Sequence, residues 1–140
     1  MIRTIVYISN AVKLIDENQL NELFYQSILN NTSQNITGIL LYKEGTFIQI
    51  LEGKDRAINN LFKTIHDDKD HNNITKIIDR RIEKRLFENF RAGYITLNNY
   101  KKMDILETFL RNRNNPPHSN VILAVLSPFL NKRSILELDQ

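Results

Sequence analysis

The sequence contains no cysteine and no tryptophan, and only four glycines and three prolines among its 140 residues. Without cysteine, neither a disulfide framework nor a zinc–thiolate site is possible. The three histidines stand far apart, at His66, His71 and His118, and do not suggest a metal site. No apolar run approaches the roughly 18 residues of a membrane span. The opening "MIRTIVYISN" reads as a strand, not as the apolar core of a signal peptide. A soluble, cytoplasmic protein is expected, in which the N-x-T triplets at Asn30, Asn35 and Asn73 carry no glycosylation meaning. An excess of either sign of charge is also lacking. Nineteen Lys and Arg face sixteen Asp and Glu, giving a net +3. That excess is too mild and too evenly spread to argue for nucleic acid.

Hydrophobic residues make up 41% and charged residues 25%, as in a globular domain of ordinary size. "RTIVYIS" (Arg3 to Ser9) is a short β-rich run and predicts a first strand. Leu20, Leu23, Phe24, Ser27 and Ile28 recur at helical spacing and predict a helix over 17–31. Strands over 36–43 and 46–52 follow, joined by a turn containing Gly45. Ala57, Ile58, Leu61, Phe62 and Ile65 predict a second helix over 54–67. "ITKIIDRRI" (74–82) and "RAGYITL" (91–97) read as two more strands. The order is βαββαββ, which implies an α+β, ferredoxin-like, mixed five-stranded sheet with two helices on one face. In this plan the first and third strands are expected to be central, adjacent and parallel.

After Leu97 the pattern turns helical, so residues 1–97 and 98–140 are expected to form a domain and a C-terminal helical extension. One helix carries Met103, Leu106, Phe109 and Leu110. A second covers "VILAVLSPFL" (121–130), capped by Ser119 or Asn120 and kinked at Pro128. Met103, Leu106, Leu110, Val121, Val125 and Phe129 are the residues expected to pack, on the sheet or on a second subunit.

Gln49 is out of place. It stands in "TFIQILEG" with Phe47 and Leu51 on its own face and Ile48 and Ile50 on the other. A strand apolar on both faces belongs in the middle of a sheet, where an amide needs partners. Tyr7, on the first strand, shares a face with Ile5 and Ser9 and can meet Gln49 if both point toward the helices. The stripe of the first helix continues into Ser27, Asn30 and Asn31. Tyr7, Ser9, Asn30, Asn31 and Gln49 are therefore expected to converge on one inward pocket. Amides within apolar walls suit a planar heterocycle with C=O and N–H groups along one edge. Each residue also has a plain structural reading. A strand glutamine can bond backbone at a sheet edge, an Asn near a helix end can cap it, and a strand tyrosine can be core.

The same residues resemble the BLUF family of blue-light sensors over about residues 2–97. The match runs through Tyr7-Ile8-Ser9-Asn10-Ala11 and through Asn30-Asn31 placed before Ile36-Thr37-Gly38. It continues in "GILLYKEGTFIQILEG" with Gln49 at the photoactive glutamine, in Asp68 and His71, and in Arg85-Leu86-Phe87. The resemblance implies a non-covalent flavin, FAD or FMN, lying between the two helices. Asn31 would bind its carbonyl and imide edge with Asn30 close by, and Gln49 would bridge Tyr7 and the flavin. Ser9, Lys69 and His71 complete the implied cofactor contacts. In the family, light moves an electron and a proton from the tyrosine to the flavin. The glutamine is left rearranged and the absorption shifts to the red. The family's Trp and Met near the last strand correspond here to Phe90 and Ala92, the candidates for relaying the signal. Asp70 stands where an Arg commonly precedes the His. The implied protein is a photoreceptor and not an enzyme. The remaining 43 residues are too few for a cyclase, phosphodiesterase or kinase, so output goes to a separate protein or through a homo-oligomer. No direct binding of nucleic acid or membrane is expected. The alternatives are a flavin-binding ferredoxin-like interaction module without efficient photoswitching, and a hydrolase of the acylphosphatase kind. "SNAVKLIDEN" lacks the arginine and glycine-rich cradle of the latter.

Overall fold

The computed structural model describes residues 2–67, 71–88, 90, 94–97 and 100–130. Two compact units follow one another along the chain, Met1–Leu97 and Asn98–Gln140.

The first unit runs β1 (Ile2–Ala11), α1 (Glu17–Ser33), β2 (Thr37–Lys43), β3 (Thr46–Gly53), α2 (Asp55–Asp67), β4 (His71–Ile82) and β5 (Tyr94–Leu97). The strands form one mixed sheet in the order β4-β1-β3-β2-β5, the ferredoxin-like α+β arrangement. β1 and β3 are central neighbours as expected, but they run antiparallel rather than parallel. The reason is topological. The β1-α1-β2 crossover makes β2 parallel to β1, and the tight hairpin turns β3 back against β2. Inserted between them, β3 opposes both. Among the described residues, β2 and β5 are the pair that runs parallel.

The hairpin turns on Glu44 and Gly45, both at positive φ (50° and 84°), as a two-residue type I′ loop requires. Gly38 has φ 142°, and a Cβ there would lie 1.9 Å from the Ile50 carbonyl oxygen. Only glycine lets β2 and β3 approach this closely.

α1 starts at a capping box. The Asp16 carboxylate accepts from Gln19 N–H (2.8 Å) and the Gln19 side chain accepts from Asp16 N–H (3.1 Å). The helix ends beyond both asparagines, with Gln34 as its C-cap, so neither Asn30 nor Asn31 caps it. Leu20 and Phe24 of α1 and Ile58 of α2 pack with Ile5, Tyr7, Leu40, Phe47 and Leu51 on one face of the sheet. Val6, Ile39, Leu41, Ile48 and Ile50, alternating with these, are buried on the other face. Each such side chain contributes about 1.5–3 kcal/mol on full burial. That explains why β3 is apolar on both sides.

In the second unit α3 (Tyr100–Leu110) and α4 (Ser119–Leu130) pack on each other. α4 starts two residues before its apolar run and continues through Pro128. Met103, Leu106 and Leu110 of α3 are buried, and α4 buries Ile122, Leu126 and Leu130. The expected stripe of Val121, Val125 and Phe129 is displaced by one residue. α4 is apolar nearly all round, so periodicity could not choose its buried side. Among the described residues no helix is long and apolar enough to cross a membrane.

Candidate functional site

Tyr7 and Gln49 are directly opposite one another on β1 and β3. Cross-strand partners in an antiparallel pair share a face, and this face is the one covered by α1 and α2. The Tyr7 hydroxyl donates to Gln49 Oε1. Both residues are nearly sealed from solvent, at 1% and 4% exposure. The Phe62 ring of α2 meets Tyr7 edge-on, with centroids 5.6 Å apart. On the other side of β3, Leu40 is the cross-strand partner of Gln49. The buried amide therefore has its partner on a neighbouring strand, and the phenol that resembled ordinary core is that partner.

A cavity of about 1000 Å³ opens above this pair. Its floor is Tyr7, Gln49 and Leu40. Leu23, Ser27, Asn30 and Asn31 of α1 line one side, Leu61, Thr64 and Ile65 of α2 the other, and Val12, Lys13 and Ile15 the mouth. Asn31 is buried and Asn30 exposed, one turn position apart on the same helix end. The apolar walls suit the faces of a planar ring. The three primary amides can each donate and accept, which suits a ring edge of alternating C=O and N–H groups. The donor set and the volume thus fit a flavin-sized heterocycle.

Four of the expected site residues are brought together here: Tyr7, Asn30, Asn31 and Gln49. Ser9 is fully buried on the same strand but does not line the cavity. The backbone of His71 pairs with Ala11 at the start of β4. Lys69 and Ala92, like Asp68 and Asp70, lie outside the described residues, as does the His71 side chain. Phe90 is buried away from the cavity lining and packs edge-on against Phe87, at 6.0 Å between centroids.

Two sets of residues were not anticipated. Asn18, Gln19, Glu22 and Gln26 of α1 also line the cavity. In sequence they look like a solvated helix face. Glu52, at 1% exposure, is a buried carboxylate on the sheet face opposite the cavity. It accepts from the N–H groups of Leu86 (2.7 Å) and Phe87 (2.9 Å) and from the Thr37 hydroxyl (2.9 Å). Arg85 donates to the Thr37 hydroxyl and to the Glu52 carbonyl oxygen. Burial pushes the Glu52 carboxyl above its ordinary range, and the hydrogen bonds from Phe87, Leu86 and Thr37 only partly oppose this. A signal was present in the sequence: a lone acid ending an otherwise apolar strand.

Comparison with known proteins gives a consistent result. The family profile described as "BLUF: Sensors of blue-light using FAD" matches residues 2–93. Photoactivated adenylate cyclase subunit alpha of Euglena gracilis is 34% identical over 84 residues, 60% of this chain and 8% of that one. Its beta subunit is 32% identical over the same length, 10% of that protein. The chain therefore spans no more than about a tenth of these relatives. Among solved structures, a bacterial light-regulated adenylyl cyclase shares 30% identity with a TM-score of 0.66, covering 98% of this chain and 36% of that one. Klebsiella pneumoniae BlrP1, solved with FMN and cyclic diGMP, gives 27% and 0.74, covering 94% and 35%. BlrB, a BLUF protein in its dark state, gives 26% and 0.66, covering 89% and 97%.

Proposed function

The chain belongs to the BLUF family of flavin-binding blue-light sensors, and we propose that its light switch is the Tyr7–Gln49 pair on the floor of the cavity between α1 and α2. The observation that carries this reading is the hydrogen bond from the Tyr7 hydroxyl to Gln49 Oε1 at a cavity wall. The proposed cofactor is FAD, with FMN as the alternative, held by Asn31 and Asn30 at its polar edge.

When bound, a flavin supplies the blue absorption and an acceptor for one electron and one proton. The chain supplies the rest. Tyr7 is the oxidisable group, and its hydroxyl proton already lies on a bond to Gln49 Oε1. Once that bond is released, the Gln49 side chain can turn about its last torsion and present its amino group where its carbonyl was. Burial keeps water from competing for either partner, so the exchanged pattern can persist. Asn31, also buried at the cavity wall, would hold the polar edge of the ring on the side of the Gln49 amide.

A BLUF domain is a sensor module, and no catalytic residue is assigned to this chain. Its output is proposed to pass to a separate protein or through self-association. The test is a difference spectrum of the purified, flavin-loaded protein before and after blue light. A small red shift that reverses in the dark is expected. A yellow protein without the shift would favour an interaction module that binds flavin and does not switch. A colourless protein that takes up no flavin would overturn the reading.

A further inference from the structure

The Tyr7/Gln49 pair is one rung of the β1/β3 ladder, and Thr4/Glu52 is another, three rungs away. Three residues of strand span about 10 Å. Because side chains alternate, Gln49 faces the cavity and Glu52 faces the opposite side. β3 thus carries the photoactive amide on one face of the sheet and a buried carboxylate on the other.

That carboxylate holds a particular piece of chain. β4 and β5 are the two edges of the sheet, so the segment between Ile82 and Tyr94 must cross from one edge to the other. Its residues 85–87 lie on the Glu52 side, with the N–H groups of Leu86 and Phe87 bonded to the carboxylate. Phe87 in turn packs on Phe90. Thr37, the β2 partner of Glu52, braces the same carboxylate. Thr4, its β1 partner, does not. The Thr4 hydroxyl is buried without a hydrogen-bond partner among the described residues. Opposite residues in an antiparallel pair have Cβ atoms about 4.5–5.5 Å apart. A turn of the Thr4 side chain or a small shift of the ladder would therefore bring its hydroxyl onto the carboxylate.

We propose that Thr4 and Glu52 form a relay through the sheet, in which a rearranged Tyr7/Gln49 rung lets Thr4 donate to Glu52 and loosens its grip on Leu86 and Phe87. This rests on the switch proposed above. The β1/β3 ladder is the shared element. A change in twist or register at one rung is felt at the other, because both pairs are carried by the same two backbones. A carboxylate with two alternative sets of donors is the two-arrangement element that coupling between distant sites requires. The relay needs no hydrogen bond from the crossing segment's side chains to Gln49, which Phe90 has no polar group to make.

The test uses isotope-labelled, flavin-loaded protein, with amide and visible spectra recorded on one sample in the dark and under blue light. In the wild type, the amide protons of Leu86 and Phe87 should move upfield on illumination as their bonds weaken. Thr4→Val removes a buried, unpaired hydroxyl at constant shape, so the fold should be retained. It should keep the red shift but reduce the Leu86 and Phe87 displacements roughly threefold or more, the scale of such couplings. Thr4→Ser should restore them. A merely structural role for Thr4 would change the denaturation midpoint and not the light–dark difference. Displacements equal in Thr4→Val and wild type would overturn the relay, as would a wild type that red-shifts without moving either amide. A wild type with no red shift would overturn the switch and the relay together, and the visible spectrum separates that case from the others.

Discussion

The Tyr7 hydroxyl donates to Gln49 Oε1 across the β1/β3 ladder, between two residues separated by 42 positions in the chain. The ladder register places the two side chains opposite one another on the same face, so the contact needs no rearrangement of the backbone to form. An oxidisable phenol and a reversible donor–acceptor group are thereby held in register at the floor of a cavity.

Removing either member should uncouple binding from switching. Tyr7→Phe keeps the ring against Phe62 and loses the proton donor. Gln49→Leu keeps the volume and loses the amide. Both variants should purify yellow and show no light-induced red shift. A normal shift in either one, read by visible absorption, would remove that residue from the switch.

Asn31 should act on affinity instead. It is buried at the cavity wall, and Asn31→Ala would leave polar ring atoms unpaired, costing roughly 1–3 kcal/mol per group, or about five- to 150-fold in Kd. Asn30, exposed on the same helix end, should cost less when replaced. Flavin titration of the two alanine variants checks the order.

Gly38→Ala should be among the most damaging single-atom additions in the first unit. The new Cβ meets the Ile50 carbonyl oxygen at 1.9 Å and the backbone sits at φ 142°, so β2 and β3 must separate. The expected loss is about 3 kcal/mol or more, read from the denaturant midpoint. Loss of cavity geometry should follow, because Leu40 lies on the displaced strand.

Glu52 predicts a pH dependence of stability. Its folded-state carboxyl is raised by burial above the ordinary value of 4.5, despite Arg85 nearby on the crossing segment. Between the two values the folded chain binds more protons than the unfolded one, so stability must fall as pH rises. The contribution is fully present below pH 4.5 and is lost as pH climbs through the folded-state value. Glu52→Gln should flatten this slope. Denaturant midpoints of both proteins across the acid range decide it, and parallel curves would count against a raised Glu52.

The first and second helices and all five strands were legible as elements, the helices from apolar residues at helical spacing and the strands from short β-rich apolar runs, with β3 apolar on both faces. The polar intruder Gln49 was legible for the same reason: a regular apolar background exposes it. α4 was legible as a helix but not in orientation, since Val121 and Ile122 begin equally apolar stripes. Glu22 and Gln26 read as solvent-facing. Composition does not distinguish a polar residue beside water from one at the mouth of a cavity.

What the sequence determined by itself is local: which segments are strands and helices, where the turns fall, and that Tyr7, Asn31 and Gln49 lie on inward faces. Those properties depend on residue type and on neighbours within a few positions. The tertiary structure decided which way β3 runs against β1, and that Glu52 is buried. The Glu52 donors lie 34 and 35 residues along the chain, on a segment that reaches them only by crossing the sheet. No local pattern encodes a partner at that separation, and the free energy of a buried carboxylate depends almost entirely on whether that partner arrives.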